Sequence, residues 1–196
     1  PSLNSGHVTF GSFNNLAKLT SDLIKTWAQI LKFVPNSHLR LKSKALGDQI
    51  IRKRISQAFN DLGIEEERIN LVPWITDASP LSAYEEVDIG LDTYPYHGTT
   101  TTMEALWMGV PVITLAGDWH ASRVGISILT RGKMSTLIAT SPSDYIEKAV
   151  TLANSPEILK EYRQTLRGSL VAHGLTDGAR FTNELENAYI WTWQNQ

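Results

Sequence analysis

The residues best suited to chemistry lie in one run, Leu91-Asp92-Thr93-Tyr94-Pro95-Tyr96-His97-Gly98-Thr99-Thr100-Thr101-Thr102-Met103-Glu104-Ala105-Leu106-Trp107-Met108-Gly109-Val110-Pro111. Its pattern reads strand, glycine turn, helix, strand. Gly98 lets the backbone come close to a ligand, and Thr99, Thr100 and Thr101 fall at the helix start. Free N–H groups and the positive end of the helix dipole receive a phosphate there without a basic side chain. A phosphate so held gains about 0.3–2 kcal/mol from the terminus, depending on burial. Glu104 follows within the first turns, where its carboxylate can accept both hydroxyls of a ribose. The plainer alternatives are threonines that only cap the helix and a glutamate that only complements its dipole.

Two further segments carry polar groups after a strand. In Phe13-Asn14-Asn15-Leu16-Ala17-Lys18, Lys18 could neutralise a diphosphate and stabilise the charge that grows as it leaves, and Asn15 could hydrogen-bond phosphate or sugar. The alternative is a polar turn with a solvated lysine. In Leu115-Ala116-Gly117-Asp118-Trp119-His120-Ala121-Ser122-Arg123-Val124-Gly125, Gly117 permits close approach. His120 could touch substrate or cap a helix, and Arg123 could bind an anion or pair with a carboxylate. The patterns G-x-G-x-x-G, G-x-x-x-x-G-K-[ST], H-E-x-x-H and G-x-S-x-G do not occur. His7, His38 and His173 read as surface or capping residues, and the six tryptophans mostly as helical core. Trp191 and Trp193 are suited to docking on another domain.

The elements that must position these residues alternate. Strands are expected at Val8–Phe13, His38–Leu41, within Arg68–Trp74, from Ile89, at Val110–Leu115 and, more weakly, at Leu137–Ala139. The first helix is capped by Thr20 or Ser21, buries Leu23, Trp27, Ile30 and Val34, and stops at Pro35-Asn36. A second runs from about Leu46 with Ile50, Ile51, Ile55, Phe59 and Leu62 as its stripe and Gly63 at its end. Short helices are expected over Leu81–Val87, about Thr101 to Met108 and around His120–Leu129. Ser141-Pro142 opens another, and the remainder is helical in two pieces broken near Gly174–Gly178. Strands alternating with helices predict a doubly wound, mostly parallel, Rossmann-like α/β sheet with a helical C-terminal extension. Such a sheet binds ligands at the C-terminal ends of its strands, so the loops after Phe13, Leu91 and Leu115 should meet.

Composition sets the outer bounds. The chain of 196 residues is 42% hydrophobic, enough for one domain with a full core. The net charge of −2 gives no general attraction to nucleic acid or an anionic membrane. The absence of cysteine excludes disulfides, thiolate catalysis and Cys-based metal sites. No apolar run approaches the roughly 18–20 residues of a membrane span, so no membrane partner is expected, and a cytoplasmic setting is. The chain opens on Pro1 rather than Met and is expected to be a fragment of something longer.

Phe10 to Lys18, followed by Trp27 and Val34-Pro35-Asn36-Ser37, together with Leu91–Pro111 and Ala121-Ser122-Arg123-Val124, resembles the C-terminal catalytic lobe of the O-linked N-acetylglucosamine transferase (SPINDLY-like) family over nearly the whole chain. That resemblance implies the C-terminal lobe of a two-lobed GT-B-type enzyme, with both lobes Rossmann-like. It implies inverting transfer of N-acetylglucosamine, or another hexose, from a UDP-sugar to Ser or Thr of proteins, with no metal and no cofactor beyond the donor. It places Lys18 on the diphosphate, Asn15 beside it, Thr100 and Thr101 at the phosphate-binding helix start, and Glu104 on the ribose. The family's lysine and histidine near the base fall here near Asp77 and Pro80, which leaves base contacts to backbone near Ile75 or to stacking on Trp74. The implied partners are the UDP-sugar, a protein acceptor and the enzyme's own N-terminal lobe, preceded by tetratricopeptide repeats. Two alternatives remain: a related lobe serving a non-protein or Asn acceptor, and a non-catalytic nucleotide-sensing module.

Overall fold

The structure, a computed structural model, describes residues 1–74, 79 and 81–195. Its centre is a six-stranded sheet built from β1 (Thr9–Ser12), β2 (His38–Lys42), β3 (Ile69–Val72), β4 (Ile89–Leu91), β5 (Val112–Leu115) and β6 (Ile138–Ala139). The spatial order is β3-β2-β1-β4-β5-β6 and every neighbouring pair is parallel. A parallel sheet needs cover on both faces; β1, β4 and β5 are accordingly buried at every position. The chain winds outward from β1 to β3, then crosses back to lay β4 on the other side of β1. At that crossover the flanking loops diverge and leave a crevice at the strands' C-terminal ends, the binding position of doubly wound folds.

The helices are α1 (Ser2–Ser5), α2 (Ser21–Phe33), α3 (Gln49–Asn60), α4 (Thr100–Trp107), α5 (Val124–Arg131), α6 (Pro142–Ala153), α7 (Pro156–Ala172) and α8 (Gly178–Gln194). In α2, Thr20 accepts from the Leu23 amide at 3.2 Å and caps the helix, whose face buries Leu23, Trp27, Ile30 and Leu31. The Trp27 indole donates to the Tyr145 hydroxyl at 3.3 Å, which donates to the Asp92 carbonyl at 3.0 Å. One polar chain thus ties α2 and α6 to the end of β4. In α6, Ser141 caps the Asp144 amide at 3.1 Å and Pro142 takes a first-turn position that needs no N–H.

Several boundaries differ from expectation. The second long helix starts at Gln49, not near Leu46, because Asp48 captures the Ile50 amide at 2.7 Å and Lys44–Gly47 forms a separate 3-10 turn. Ile50, expected in its apolar stripe, is 78% exposed. Ser82–Glu86 and His120–Ser122 are 3-10 turns. The tryptophans part company as well: Trp27 is core, Trp107 lies half-buried beside the Arg167 guanidinium, and Trp74, Trp119, Trp191 and Trp193 are exposed. α8 buries no residue.

Close approach explains two glycines in adjacent strands. Gly11 pairs with Gly90 across β1 and β4, and a methyl group on Gly11 would sit 2.7 Å from both Val87 methyls. Gly11→Ala is therefore expected to cost about 1–3 kcal/mol by overpacking. Gly168→Ala, on the exposed face of α7 with open space around it, is expected to gain about 1 kcal/mol from helix propensity. Urea unfolding of both variants checks the opposite signs.

Candidate functional site

The loop after β1, the loop after β4 and the start of α4 meet at the crossover. The Lys18 ammonium donates to the His97 carbonyl at 2.8 Å and to Asn14 Oδ1 at 3.2 Å, with the Tyr96 ring centre 4.3 Å away. Thr101 Oγ1 donates to the same Asn14 oxygen at 3.2 Å. Asn14 therefore bridges the lysine to the first turn of α4. The first hydrogen bond of that helix runs from the Met103 amide to the Thr99 carbonyl at 3.0 Å. Among the described residues, the amides of Thr100, Thr101 and Thr102 have no partner, which leaves the positive end of α4 open.

The threonines divide in role. Thr99 and Thr100 are exposed at the edge, and Thr99 makes no capping bond through its side chain. Thr102 is buried and donates to the Gly98 carbonyl at 3.0 Å. Gly98 is hemmed in: a methyl group there would meet Thr101 Oγ1, with Asn14 Oδ1 and Thr102 Oγ1 at 3.0 Å. The turn needs glycine for its own packing before any ligand arrives.

Glu104 is half-buried in α4. The Tyr84 hydroxyl lies 3.0 Å from the Thr101 carbonyl and 3.3 Å from Glu104 Oε2, and can donate to either. Burial, and then the Glu104 carboxylate, hold the Tyr84 phenol well above its ordinary pKa, so it stays a neutral donor. A narrow crevice runs between these elements, lined by Ser12, Asn14, Asp92, Thr101 and Thr102 among others. It adjoins, through Phe13 and Asn14, a wider cleft reaching Lys42, Lys44 and Trp74. The Lys42 ammonium lies 5.1 Å from the exposed Trp74 ring.

Beneath the open face, Asp92 holds the loop from inside. Its Oδ1 accepts from the Thr93 and Gly98 amides at 2.9 and 2.7 Å, and Oδ2 accepts from Thr114 Oγ1 at 2.7 Å. Burial pushes its carboxyl pKa up, while the adjacent His97 ring and then the bonds it accepts pull it back.

Of the residues singled out in the sequence, Thr101 lines this crevice; Lys18 meets it through the shared Asn14 oxygen, Gly98 packs against Thr101 and Asn14, Glu104 contacts Tyr84, and Thr99 and Thr100 stand exposed at the start of α4. Asn15 stands at the same edge, exposed, with its oxygen capping the Ala17 amide at 3.0 Å. The neighbouring Asn14 makes the contacts to Lys18 and Thr101. Arg123 closes its own loop by donating to the Gly117 carbonyl at 3.0 Å, and His120 is exposed. Ile75, Asp77 and Pro80 lie outside the described residues. Asn14, Tyr84, Asp92, His97 and Thr114 were missed as site residues. Asp92 carried one signal, a lone carboxylate set directly after an apolar strand.

The fold is that of a lobe of a GT-B glycosyltransferase. The sequence matches glycosyl transferase family 41 over residues 2–185, and the chain belongs to that family. It is similar to the probable UDP-N-acetylglucosamine–peptide N-acetylglucosaminyltransferase SPINDLY of Petunia hybrida, 44% identical over 99% of this chain and 21% of the relative. The structure superimposes on a mutant of the Thermobaculum terrenum O-GlcNAc transferase with a TM-score of 0.92 at 36% identity, covering 97% of this chain and 37% of the other. Anabaena HepE, solved in complex with UDP and glucose, shares the fold at a TM-score of 0.63 and 16% identity, over 95% of this chain and 51% of its own. The chain thus spans about a fifth of the length of the curated relatives it matches. Among the described residues no helix is long and apolar enough to cross a membrane.

Burial holds the Lys18 pKa below the ordinary lysine value, and the nearby Asp92 charge opposes that shift. The ammonium is what attracts an anion, so the sign is fixed: anion affinity falls as pH rises through the lowered pKa, earlier than for an exposed lysine. Pyrophosphate binding, followed by calorimetry from about pH 7 to pH 10, is expected to weaken across that range. Lys18→Arg, which stays charged, is expected to flatten the profile. A parallel decline in both proteins would assign the effect to another group.

Proposed function

We propose that this chain is the donor-binding lobe of an inverting glycosyltransferase that moves N-acetylglucosamine from its UDP donor to Ser or Thr hydroxyls of proteins. The observation that carries the reading is the convergence of the Lys18 ammonium and the open amides of α4 at the β1–β4 crossover. The names of the relatives, probable UDP-N-acetylglucosamine–peptide N-acetylglucosaminyltransferases, point the same way.

In this reading the diphosphate lies across the start of α4, bonded by the amides and hydroxyls of Thr100 and Thr101 and neutralised by Lys18. Glu104 accepts the ribose hydroxyls, with Tyr84 fixing one carboxylate oxygen. The base extends toward Trp74 and Lys42, and Asn15 and Thr99 border the pocket where the sugar leaves the lobe. The acceptor oxygen attacks the anomeric carbon as the bond from that carbon to the β-phosphate oxygen breaks, and the acceptor proton passes to a base outside this chain. The electron pair of the broken bond stays on the UDP oxygen. The positive field of Lys18 and α4 is strongest there, so it stabilises the leaving group more than the bound donor.

An N-terminal lobe closes over the same edge and supplies the acceptor groove. The exposed Phe181, Tyr189, Trp191 and Trp193 of α8 give it an apolar surface to rest on.

Calorimetric titration with UDP, and with GDP and ADP as controls, tests the nucleotide; selective UDP binding is expected, and preference for either control would reassign the base. Lys18→Ala is expected to weaken UDP binding by about 1.5–3 kcal/mol, the worth of a charge-assisted contact, and to leave uridine binding nearly unchanged. Equal losses for both ligands would remove the phosphate role. Glu104→Gln is expected to reduce discrimination between UDP and its 2′-deoxy analogue; unchanged discrimination would remove the ribose role.

A further inference from the structure

His97 is 1% exposed, so its ring cannot touch a ligand that approaches the open edge. Every polar group it has is nonetheless committed. Nε2 lies 2.8 Å from the Leu115 carbonyl, which can only accept, so Nε2 carries the ring proton. Nδ1 accepts from the Gly125 amide at 3.1 Å and carries none. The backbone N–H donates to the Ala121 carbonyl at 2.9 Å, and the backbone carbonyl accepts from Lys18 at 2.8 Å. One imidazole, facing an acceptor at Nε2 and a donor at Nδ1, therefore pins the peptide that follows residue 97 to the end of β5 and the first turn of α5. The carbonyl of that peptide is the shortest contact the Lys18 ammonium makes. Asp92 holds the same planar peptide from its other side, through the Gly98 amide.

We propose that His97 is a positioning residue for the donor diphosphate: its two ring nitrogens hold the carbonyl that aims Lys18. The proposal rests on the donor-site reading of Lys18. It also assigns a purpose to a polar side chain that would otherwise be an expensive way to pack a loop, since an apolar side chain fills such a volume without needing the two aligned ring partners. The cluster is tightly drawn on the α5 side too: a methyl group on Gly125 would stand 2.5 Å from Thr114 Oγ1, 2.9 Å from Asp92 Oδ2 and 3.0 Å from His97 Nδ1.

A double-mutant cycle on UDP and uridine affinity in the whole protein tests this. His97→Asn keeps an acceptor near the Nδ1 position and loses the donor to Leu115. It is expected to weaken UDP about five- to tenfold while uridine affinity holds, the signature of one misaimed charge-assisted contact. In a Lys18→Ala background the same substitution is expected to have no further effect on UDP, because the group it aims is gone. His97→Gln, which restores a donor near the Nε2 position, should recover part of the loss. Equal losses in both backgrounds, or equal losses for UDP and uridine, would make His97 a structural residue and overturn the proposal. Unchanged UDP affinity in Lys18→Ala itself would instead bring down the donor-site reading, and this proposal with it. If His97→Asn shows no cooperative melt, Gly125→Ala, which presses on the same cluster from α5, is carried through the same cycle and read by the same criteria.

Discussion

A carboxylate taken out of water has to be surrounded by donors, and the 2% exposed Asp92 sits where β4 ends and the chain must turn toward α4. Its oxygens collect two amides of the turn and a hydroxyl of β5. Its backbone carbonyl receives Tyr145, which in turn receives Trp27 from α2. One residue thus joins the central strands, the turn that precedes α4 and the helices on the sheet's flank. Remove that knot and the Gly98 amide, the entry to α4 and the carbonyl facing Lys18 all lose their reference point. The open helix terminus can be left unpaired at the surface because the turn beneath it is held from inside.

The crossover supplies the second constraint. β1 and β4 pair in parallel with Gly11 beside Gly90, where the Val87 and Val112 side chains leave no room for a Cβ, and the two C-terminal loops leave the sheet side by side. Lys18 reaches from one loop and the start of α4 from the other, and Asn14 spans the gap by accepting from both Lys18 and Thr101. Among the described residues at the crossover, the Lys18 ammonium, a few backbone amides and neutral hydroxyls make a locally positive field. Tyr84, kept protonated by burial and by Glu104, adds a donor without adding charge.

Much of this was readable without coordinates because it depends on local chemistry. Apolar runs bounded by turn residues mark buried strands, and stripes such as Leu23, Trp27 and Ile30 mark a helix lying on a sheet, so the six parallel strands and the major helices follow from periodicity. Thr20 and Ser141 announce helix starts, and Gly98-Thr99-Thr100-Thr101 announces a helix after a close turn, its first amides left open. Boundaries moved where one side chain captured an amide, as Asp48 did ahead of α3.

What the sequence by itself determined is the alternation of elements, the edge at which they deliver their polar loops, and the identity of Lys18, Thr100, Thr101 and Glu104 as groups of the right chemistry at that edge. Tertiary structure alone decided which of two adjacent asparagines faces the lysine, that Tyr84 arrives from a turn 20 residues away to meet Glu104, and that His97 turns inward while Tyr96 stays out. Those outcomes depend on which backbone groups of distant strands are left needing a partner once the sheet has closed. No local pattern records that, because each donor and acceptor finds its partner only after β1, β4 and β5 lie side by side.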